Sequence, residues 1–494
     1  MIILLFSLFI LTTLLAYTSR EVKQLRVTAL VMGIVNSLTA FYVMSEPLLS
    51  GQTLEINTWL RIDRFSAFIG ILITLLYFLT VIVSHRYIGE EHREGILDLN
   101  QMRLYFLLLP IFAVAMLTVV MADNLGLLWL ALETTTLVTT PLVAIYKKGG
   151  SLEAAWKYII LCSLGISVGL LGVLLISFSG AENGLSLIDS LSLKALASHA
   201  AAMSPMIMQW AFLFTFIGLG TKVGFFPMHT WLPDAHGRTP SPISAMLSGI
   251  LLNVAFYSLM RIKFLTDIAL GSDSWTNNLF LTFGILSVVT SAFFLYIQHY
   301  YKRMLAYSSM EHMGILAIAI GLGPAGIVPG LMHMLAHTVS KSLVFFGSGE
   351  ILLSEKTGQI DKIHNLIGKI PVTGVLFILG MLSLLAVPPF ATFASEILIL
   401  SAAQHTGHMI IFFLLLLALS VVCVSLFTHT FKMFCLNQKA EKIHHADNQP
   451  VEKFNLAHMV MAVEIILSIT AGIFMLTPTG SDFFTYIAQS IVSL

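Results

Sequence analysis

The sequence predicts an all-α polytopic membrane protein of about fourteen transmembrane helices, arranged as two inverted five-helix repeats with broken helices 7 and 12. Three observations predict it. The 494-residue chain is 57% hydrophobic and only 11% charged, against about 25% charged residues in a soluble domain. Its apolar residues gather in runs of roughly 20, the length that crosses hydrocarbon as a helix. Two of those runs are interrupted by proline and are five helices apart, an odd spacing that inverts the second unit relative to the first.

The expected spans are 2–17, 27–47, 65–85, 103–122, 124–146, 157–178, 208–228, 241–261, 277–299, 304–322, 327–353, 371–394, 407–434 and 456–476. The run Met1–Tyr17 has no basic leader and no small-residue cleavage site, so it reads as a first spanning helix rather than a removed signal. Charges concentrate between spans, in the 86–103 stretch, at Lys147 and Lys148, and between Asn437 and Lys453. Span 7 holds the break GTKVGFFPMHTWLP with Pro227, and span 12 holds LLAVPPFATFASE with Pro388 and Pro389. Proline removes a backbone donor and frees carbonyls, which is tolerable in a bilayer only where protein or water satisfies them.

Orientation follows from lysine and arginine. Of the 26 basic residues, 19 fall in loops leaving odd-numbered spans, 5 in the opposite loops, and Lys222 and Lys341 inside spans. The positive-inside rule makes the odd loops cytoplasmic and both termini external. The domain reading is residues 1–102 as spans 1–3, 103–262 as the first inverted repeat, 263–435 as the second, and 436–494 as a cytoplasmic loop with span 14. In this register Lys222 corresponds roughly to Glu396, and Lys157 to Lys341.

The chemistry lies in ionisable residues inside apolar runs. An ammonium at the bilayer centre costs roughly 2.5–3.5 kcal/mol on insertion scales. Lys222 in MQWAFLFTFIGLGTKVGFFPM therefore needs a partner, a wet cavity or a function. Glu133 in NLGLLWLALETTTLV is the expected partner, and such a pair shares protonation. The bland alternative is a static buried salt bridge, which desolvation makes unattractive. In GLMHMLAHTVSKSLVFF, the residues His333, His337 and Lys341 recur at i, i+4 and i+8, on one helix face. Histidine can pass a proton between its ring nitrogens. The alternatives are core histidines satisfied by hydroxyls, or a metal pair, although no HExxH and no carboxylate nearby in the chain supports a metal. Glu396 ends the second broken run and reads as a terminal exchange residue, or as one that snorkels at a helix end. After Lys222, the loop MHTWLPDAHGRTPSP offers His229, Asp234, His236 and Arg238 as cytoplasmic entry candidates; its bland reading is a capped turn.

Composition excludes other classes. The 26 acidic and 26 basic residues cancel, so net charge points to no nucleic-acid or acidic partner. Cys162, Cys423 and Cys435 form no CxxC or Cys/His cluster. No GxGxxG or Walker A sequence is present, so neither a cofactor nor a metal is expected on this chain.

The segments FFPMHTWLPDAHGRTPSPISAML, NLGLLWLALE, KRMLAYSSMEHMG, HMLAHTVSKSLVFFGSG and PPFATFASE together resemble the antiporter-like proton-translocating subunits of respiratory complex I, Mrp antiporters and energy-converting hydrogenases. The resemblance covers about Ile62 to Cys435. It implies the fourteen-helix inverted-repeat fold and a central polar axis through Glu133, Lys157, Lys222, His333, His337, Lys341 and Glu396. The glutamate at 396 is similar to the chain M type rather than the lysine of the chain L type. EAAWKYIILCSLGISVGLLG and AYSSMEHMG look most like component F of hydrogenase-4. Two departures stand out: Ser248 where many members have a histidine, and Tyr300 where many have an aspartate. The first leaves the link between the halves to water beside Ser248.

The resemblance implies a bacterial or archaeal cell (inner) membrane subunit of a complex I-like oxidoreductase, translocating protons coupled to electron transfer in partner subunits and holding no redox centre itself. Its partners would be other membrane subunits and a peripheral arm holding [NiFe] and iron–sulfur clusters. The rival class is a cation/proton antiporter subunit without a redox partner, or a chain M-type subunit of NADH–quinone oxidoreductase. A scaffold with a dead channel, or an ion-driven partner for inorganic-carbon uptake, is the third. Co-elution of a [NiFe] or iron–sulfur subunit separates the redox-coupled reading from the antiporter without a redox partner.

Overall fold

The computed structural model describes residues 1–56, 58–435 and 452–492; most of the expected charged stretch between Asn437 and Lys453 lies outside the described residues. In chain order the helices are α1 (Ile2–Thr18), α2 (Val22–Ser50), α3 (Arg64–Arg93), α4 (Leu99–Met121), α5 (Leu125–Val143), α6 (Gly149–Glu182), α7 (Leu193–His199), α8 (Pro205–Val223), α9 (Trp231–Arg238), α10 (Ser241–Met246), α11 (Leu252–Leu270), α12 (Ser274–Tyr296), α13 (Tyr301–Gly321), α14 (Pro324–Glu355), α15 (Leu366–Lys369), α16 (Pro371–Leu384), α17 (Ala391–His405), α18 (Met409–Phe434), α19 (Leu456–Met475) and α20 (Pro478–Val492). A π turn, Leu247–Leu251, joins α10 to α11. A two-stranded hairpin, β1 (Leu54–Ile56) with β2 (Leu60–Ile62), precedes α3.

Each expected span falls on a helix, but the ends move. Among the described residues, eleven helical segments are long and apolar enough to cross a membrane. Shorter apolar helices are α1 and α16. The 32-residue α14 is long enough but carries His333, His337, Lys341 and Glu350. Local chemistry sets several starts. Asp98 accepts from Gln101 N at 2.7 Å while the Gln101 amide oxygen accepts from Asp98 N at 2.8 Å, a capping box that opens α4. Asn124 caps α5 through Leu127 N at 3.0 Å.

The two broken spans follow one design. Helix α8 stops at Gly224, whose φ of 86° suits a residue without Cβ. The chain passes Pro227 and resumes as the half-helix α9. The freed carbonyl of Thr221 accepts from Trp231 Nε1 at 2.8 Å, and Phe226 N donates to Ser287 Oγ at 3.0 Å. Helix α16 ends before Pro388 and Pro389, and α17 follows. There the Ser383 carbonyl accepts from the Thr392 hydroxyl. Side chains thus take over the hydrogen bonds that proline and the turn release, as hydrocarbon requires.

Packing brings the breaks to the centre. In lipid, helices associate by close van der Waals contact, which small residues permit. Gly165 and Gly169 of α6 face Gly218 of α8, and Gly172 faces Ala211 and Thr215: a Cβ on Gly218 would lie 2.5 Å from Gly169 backbone atoms and 2.7 Å from the Gly165 carbonyl oxygen. The same device joins α12 to α13, where a Cβ on Gly284 would meet the Gly314 carbonyl oxygen at 2.8 Å. Helix α14 runs through the middle, packed on α3, α13, α16, α17 and α19.

At the end of the bundle opposite the basic loops, Arg261 Nη2 donates to both Asp63 carboxylate oxygens at 2.6 Å and ties α11 to the start of α3. Burial works against the Asp63 charge, but the Arg261 guanidinium prevails and holds its carboxyl below the usual range. Helix α20 is not among the expected spans. Phe484, Ile487 and Ile491 are buried on one face of a helix whose other face is polar. Its first turn is secured by Gly480 N donating to Thr477 Oγ1 at 3.1 Å. The chain therefore does not end its helices at 476.

Gly218→Ala inserts a methyl group between two backbones. It is expected to destabilise the fold by about 1–3 kcal/mol, read as a lowered melting temperature in detergent. An unchanged melting temperature would contradict the α6–α8 contact.

Candidate functional site

Lys222 ends α8 just before the first break and is fully buried. Its ammonium donates to the Leu132 carbonyl at 3.2 Å and to the Thr136 hydroxyl. Glu133 sits on the neighbouring turn of α5, half-buried. It accepts from Ser163 Oγ of α6 at 2.5 Å and from Thr136 Oγ1 at 3.4 Å. The expected direct Glu133–Lys222 ion pair is therefore not formed. Thr136 stands between them, its hydroxyl accepting from the lysine and donating to the carboxylate. Helical spacing explains this: Glu133 leans toward α6, while Thr136, three residues on, faces α8.

The second half holds a denser line, and all of its members are buried. Lys341 of α14 donates to the Leu305 carbonyl of α13 at 3.3 Å. One turn toward the N-terminus, His337 Nε2 lies 3.0 Å from the Ser248 carbonyl oxygen. A carbonyl only accepts, so Nε2 carries the hydrogen and Nδ1, which has no partner, is the open acceptor. His312 of α13 lies beside both α14 histidines. Its ring centre is 5.3 Å from that of His337, and its Nδ1 is 3.1 Å from His333 Nε2. His333 Nδ1 then meets Ser395 Oγ of α17 at 3.0 Å. Glu396 follows Ser395 and is buried inside the second half-helix, not at an aqueous helix end. Glu311, also buried, accepts from Ser308 Oγ at 3.4 Å and lies within electrostatic range of Lys341.

Ser248 sits in the π turn, where the widened helix turns a carbonyl outward. That backbone carbonyl, which any residue at 248 would present, meets His337; the serine side chain itself reaches Ser309, with its hydroxyl 2.6 Å from Ser309 Oγ. Tyr300 lies at a loop, its hydroxyl accepting from Gln359 Nε2 at 2.9 Å.

The remaining expected residues lie elsewhere. Lys157 is about half exposed, paired with Glu153 at 2.6 Å and with Asp234 at 3.1 Å. Asp234 also meets Arg303 at 3.4 Å. His229 is buried among Phe226, Phe294 and Tyr307. His236 is fully buried, stacked on Phe345 at 5.5 Å, and neither of its ring nitrogens has a partner. Arg238 is exposed. Lys222 precedes its break and Glu396 follows its own, so the two are not equivalently placed.

Ligand atoms of His312, His333 and Glu396 lie within 4.8 Å of one another and could hold a metal ion. No carboxylate is near the His333–His337 pair in the chain; folding supplies one from α17 and a third histidine from α13. Sequence reasoning missed Glu311 and His312 as members of the line. Their signal was present: they are an ionisable pair inside span 10, in SSMEHMG.

A family profile described as NADH:quinone oxidoreductase/Mrp antiporter, TM, matches residues 122–423. The hydrogenase-4 component F homolog of Methylacidiphilum infernorum (isolate V4) is 37% identical over 348 residues, covering 70% of this chain and 73% of that protein. Among solved structures, a chain of the membrane-bound sulfane sulfur reductase, an archaeal respiratory membrane complex, superposes with a TM-score of 0.86 at 24% identity, over 99% of this chain and 97% of that one. A chain of respiratory complex I from Thermus thermophilus gives 0.74 at 22% identity, over 95% and 96%. The two structures share the fold of this chain.

Thr136→Val keeps shape but removes the bridging hydroxyl. It leaves Lys222 and Glu133 each short of a partner and is expected to lower stability by about 1–3 kcal/mol in detergent melting, with Thr136→Ser near wild type. An unperturbed valine variant would contradict the bridge.

Proposed function

Because this chain belongs to the NADH:quinone oxidoreductase/Mrp antiporter transmembrane family, we propose that it is the proton-translocating membrane subunit of a complex I-like oxidoreductase of hydrogenase-4 type. The observation that carries the reading is the buried line Glu311, Lys341, His337, His312, His333, Ser395 and Glu396, built from the three helices α13, α14 and α17. Buried polar and charged groups in a membrane are retained where they bind or move charge.

The chemistry is proton transfer without a redox group. Lys341 gives up a proton to the open Nδ1 of His337. That proton leaves by the same nitrogen, because Nε2 keeps its hydrogen on the Ser248 carbonyl; the gap between the unpartnered His337 Nδ1 and His312 Nε2 is of the kind that a buried water fills. His312 and His333 pass the proton on, and Ser395 leads it to Glu396. At an effective dielectric of ~20, a charge arriving ~8 Å away changes a site's energy by about 2 kcal/mol. That is enough to drive each neighbouring transfer in turn. Lys222, Thr136 and Glu133 form the corresponding switch in the first half. Lys157 and Asp234, with Arg303, are surface charges at the mouth of that half, and His229 and His236 lie on its inner side.

The two halves are read as inverted repeats, residues 103–262 and 263–435, supported by the matching breaks and by glycine contacts in each. The end bearing 19 of 26 basic residues is placed in the cytoplasm and both termini outside, in a bacterial or archaeal inner membrane. [NiFe] and iron–sulfur clusters belong to the partner subunits. The family description also names Mrp antiporters, and an antiporter subunit is the second reading. Isolation of the complex decides: co-elution of a [NiFe] or iron–sulfur subunit is expected, and its absence would favour the antiporter.

Lys341→Met, which keeps length but loses charge, is expected to abolish proton translocation in vesicles while the complex still assembles. Translocation at the wild-type rate would contradict the axis.

A further inference from the structure

Four buried polar atoms that make no well-formed hydrogen bond gather at the basic end of the bundle: the Tyr87 hydroxyl and Glu91 Oε2, which lie close to each other, and both ring nitrogens of His236, which approaches the Ser244 backbone. Glu91 lies in the last turn of α3, outside both repeats, and only 3% of it is exposed. Tyr146 OH donates to its Oε1 at 2.6 Å. Just beyond it, at the surface, Glu94 pairs with Lys356 at 2.5 Å. Inward, Glu91 lies within electrostatic range of Lys302. Lys302 is buried in the first turn of α13 and donates to the Thr239 carbonyl. Thr239 directly follows α9, which carries His236, and His236 lies within electrostatic range of both Lys302 and Lys341.

The route closes on the axis. Lys302 is one helical turn from Leu305, whose carbonyl accepts from Lys341 at 3.3 Å. His236 stacks on Phe345 at 5.5 Å, one turn beyond Lys341. Buried polar atoms are nearly always satisfied, by protein or by water. Under-satisfied groups on either side of Lys302, with Lys341 beyond the second, are places that buried waters fill.

We propose that Glu91, Lys302 and His236 form the proton-uptake route from the basic face to Lys341. The proposal rests on the function assigned above. Glu91 collects a proton that enters past the surface pair Glu94–Lys356. Lys302 passes one inward as it receives another. His236 accepts at one ring nitrogen and releases from the other, toward Lys341. No net charge accumulates: each group regains its starting charge once Lys341 is reloaded, and the His236 ring, left in its other tautomer, turns over before the next transfer. The N-terminal helices then supply the entrance to the second half, a role the repeat alone does not give them.

The test uses the assembled complex in vesicles, with proton uptake followed at the basic face. Glu91→Gln is expected to lose uptake, Glu91→Asp to recover part of it, and Tyr146→Phe to slow it. In the slowed variants the solvent deuterium isotope effect on uptake should rise, because entry becomes the slow step. Wild-type uptake in Glu91→Gln, alongside loss in Lys341→Met, would overturn the route while leaving the axis intact. Slow uptake with an unchanged isotope effect would mean a structural role and would also overturn it. Should Glu91→Gln fail to assemble, Tyr146→Phe decides by the same two readouts. If Lys341→Met has no effect either, the assigned function itself falls.

Discussion

Hydrocarbon offers no partner to a charge or to a free peptide group, and the rest of this structure depends on that constraint. Lys222 and Lys341 each solve it the same way, by donating to a carbonyl on a neighbouring helix, Leu132 and Leu305. Those carbonyls lie within helices α5 and α13, so each lysine is tied to a rigid neighbour rather than to a carboxylate. A lysine held by neutral acceptors is not committed to a single counter-charge. One locked to a carboxylate in a dry interior would be far harder to discharge.

The broken helices follow from the same constraint. A break frees carbonyls, and the Trp231 indole and the Thr392 hydroxyl take them up. In return the chain gains a half-helix that can carry a polar group to the centre: α9 brings His236, and α17 brings Ser395 and Glu396. The glycine faces of α6, α8, α12 and α13 let backbones close around these groups without leaving lipid-sized gaps. Breaks, small residues and buried charges therefore belong to one arrangement.

Much of this was legible in the sequence. Apolar runs gave the helices, and i, i+4, i+8 spacing put His333, His337 and Lys341 on one face, where the structure places them. Lysine and glutamate inside apolar runs marked the sites. What sequence could not give was the third dimension. The Glu133–Lys222 pair looked direct because α5 and α8 are neighbours, but side-chain direction on α5 interposes Thr136. Glu311 and His312 escaped notice because their role appears only when α13 packs on α14. The carboxylate for the histidine pair arrives from α17. Helix α20 was missed because Ser481, Asp482 and Thr485 lower its apolarity, while Phe484, Ile487 and Ile491 keep its helical period.

The central claim is that buried charges here move protons rather than merely hold helices together. The most direct measurement records electron transfer by the partner subunits and proton movement across vesicles together, in the Lys222→Ala complex. The account predicts that protons moved per electron fall toward zero while the complex remains assembled. A wild-type ratio in that variant would contradict it.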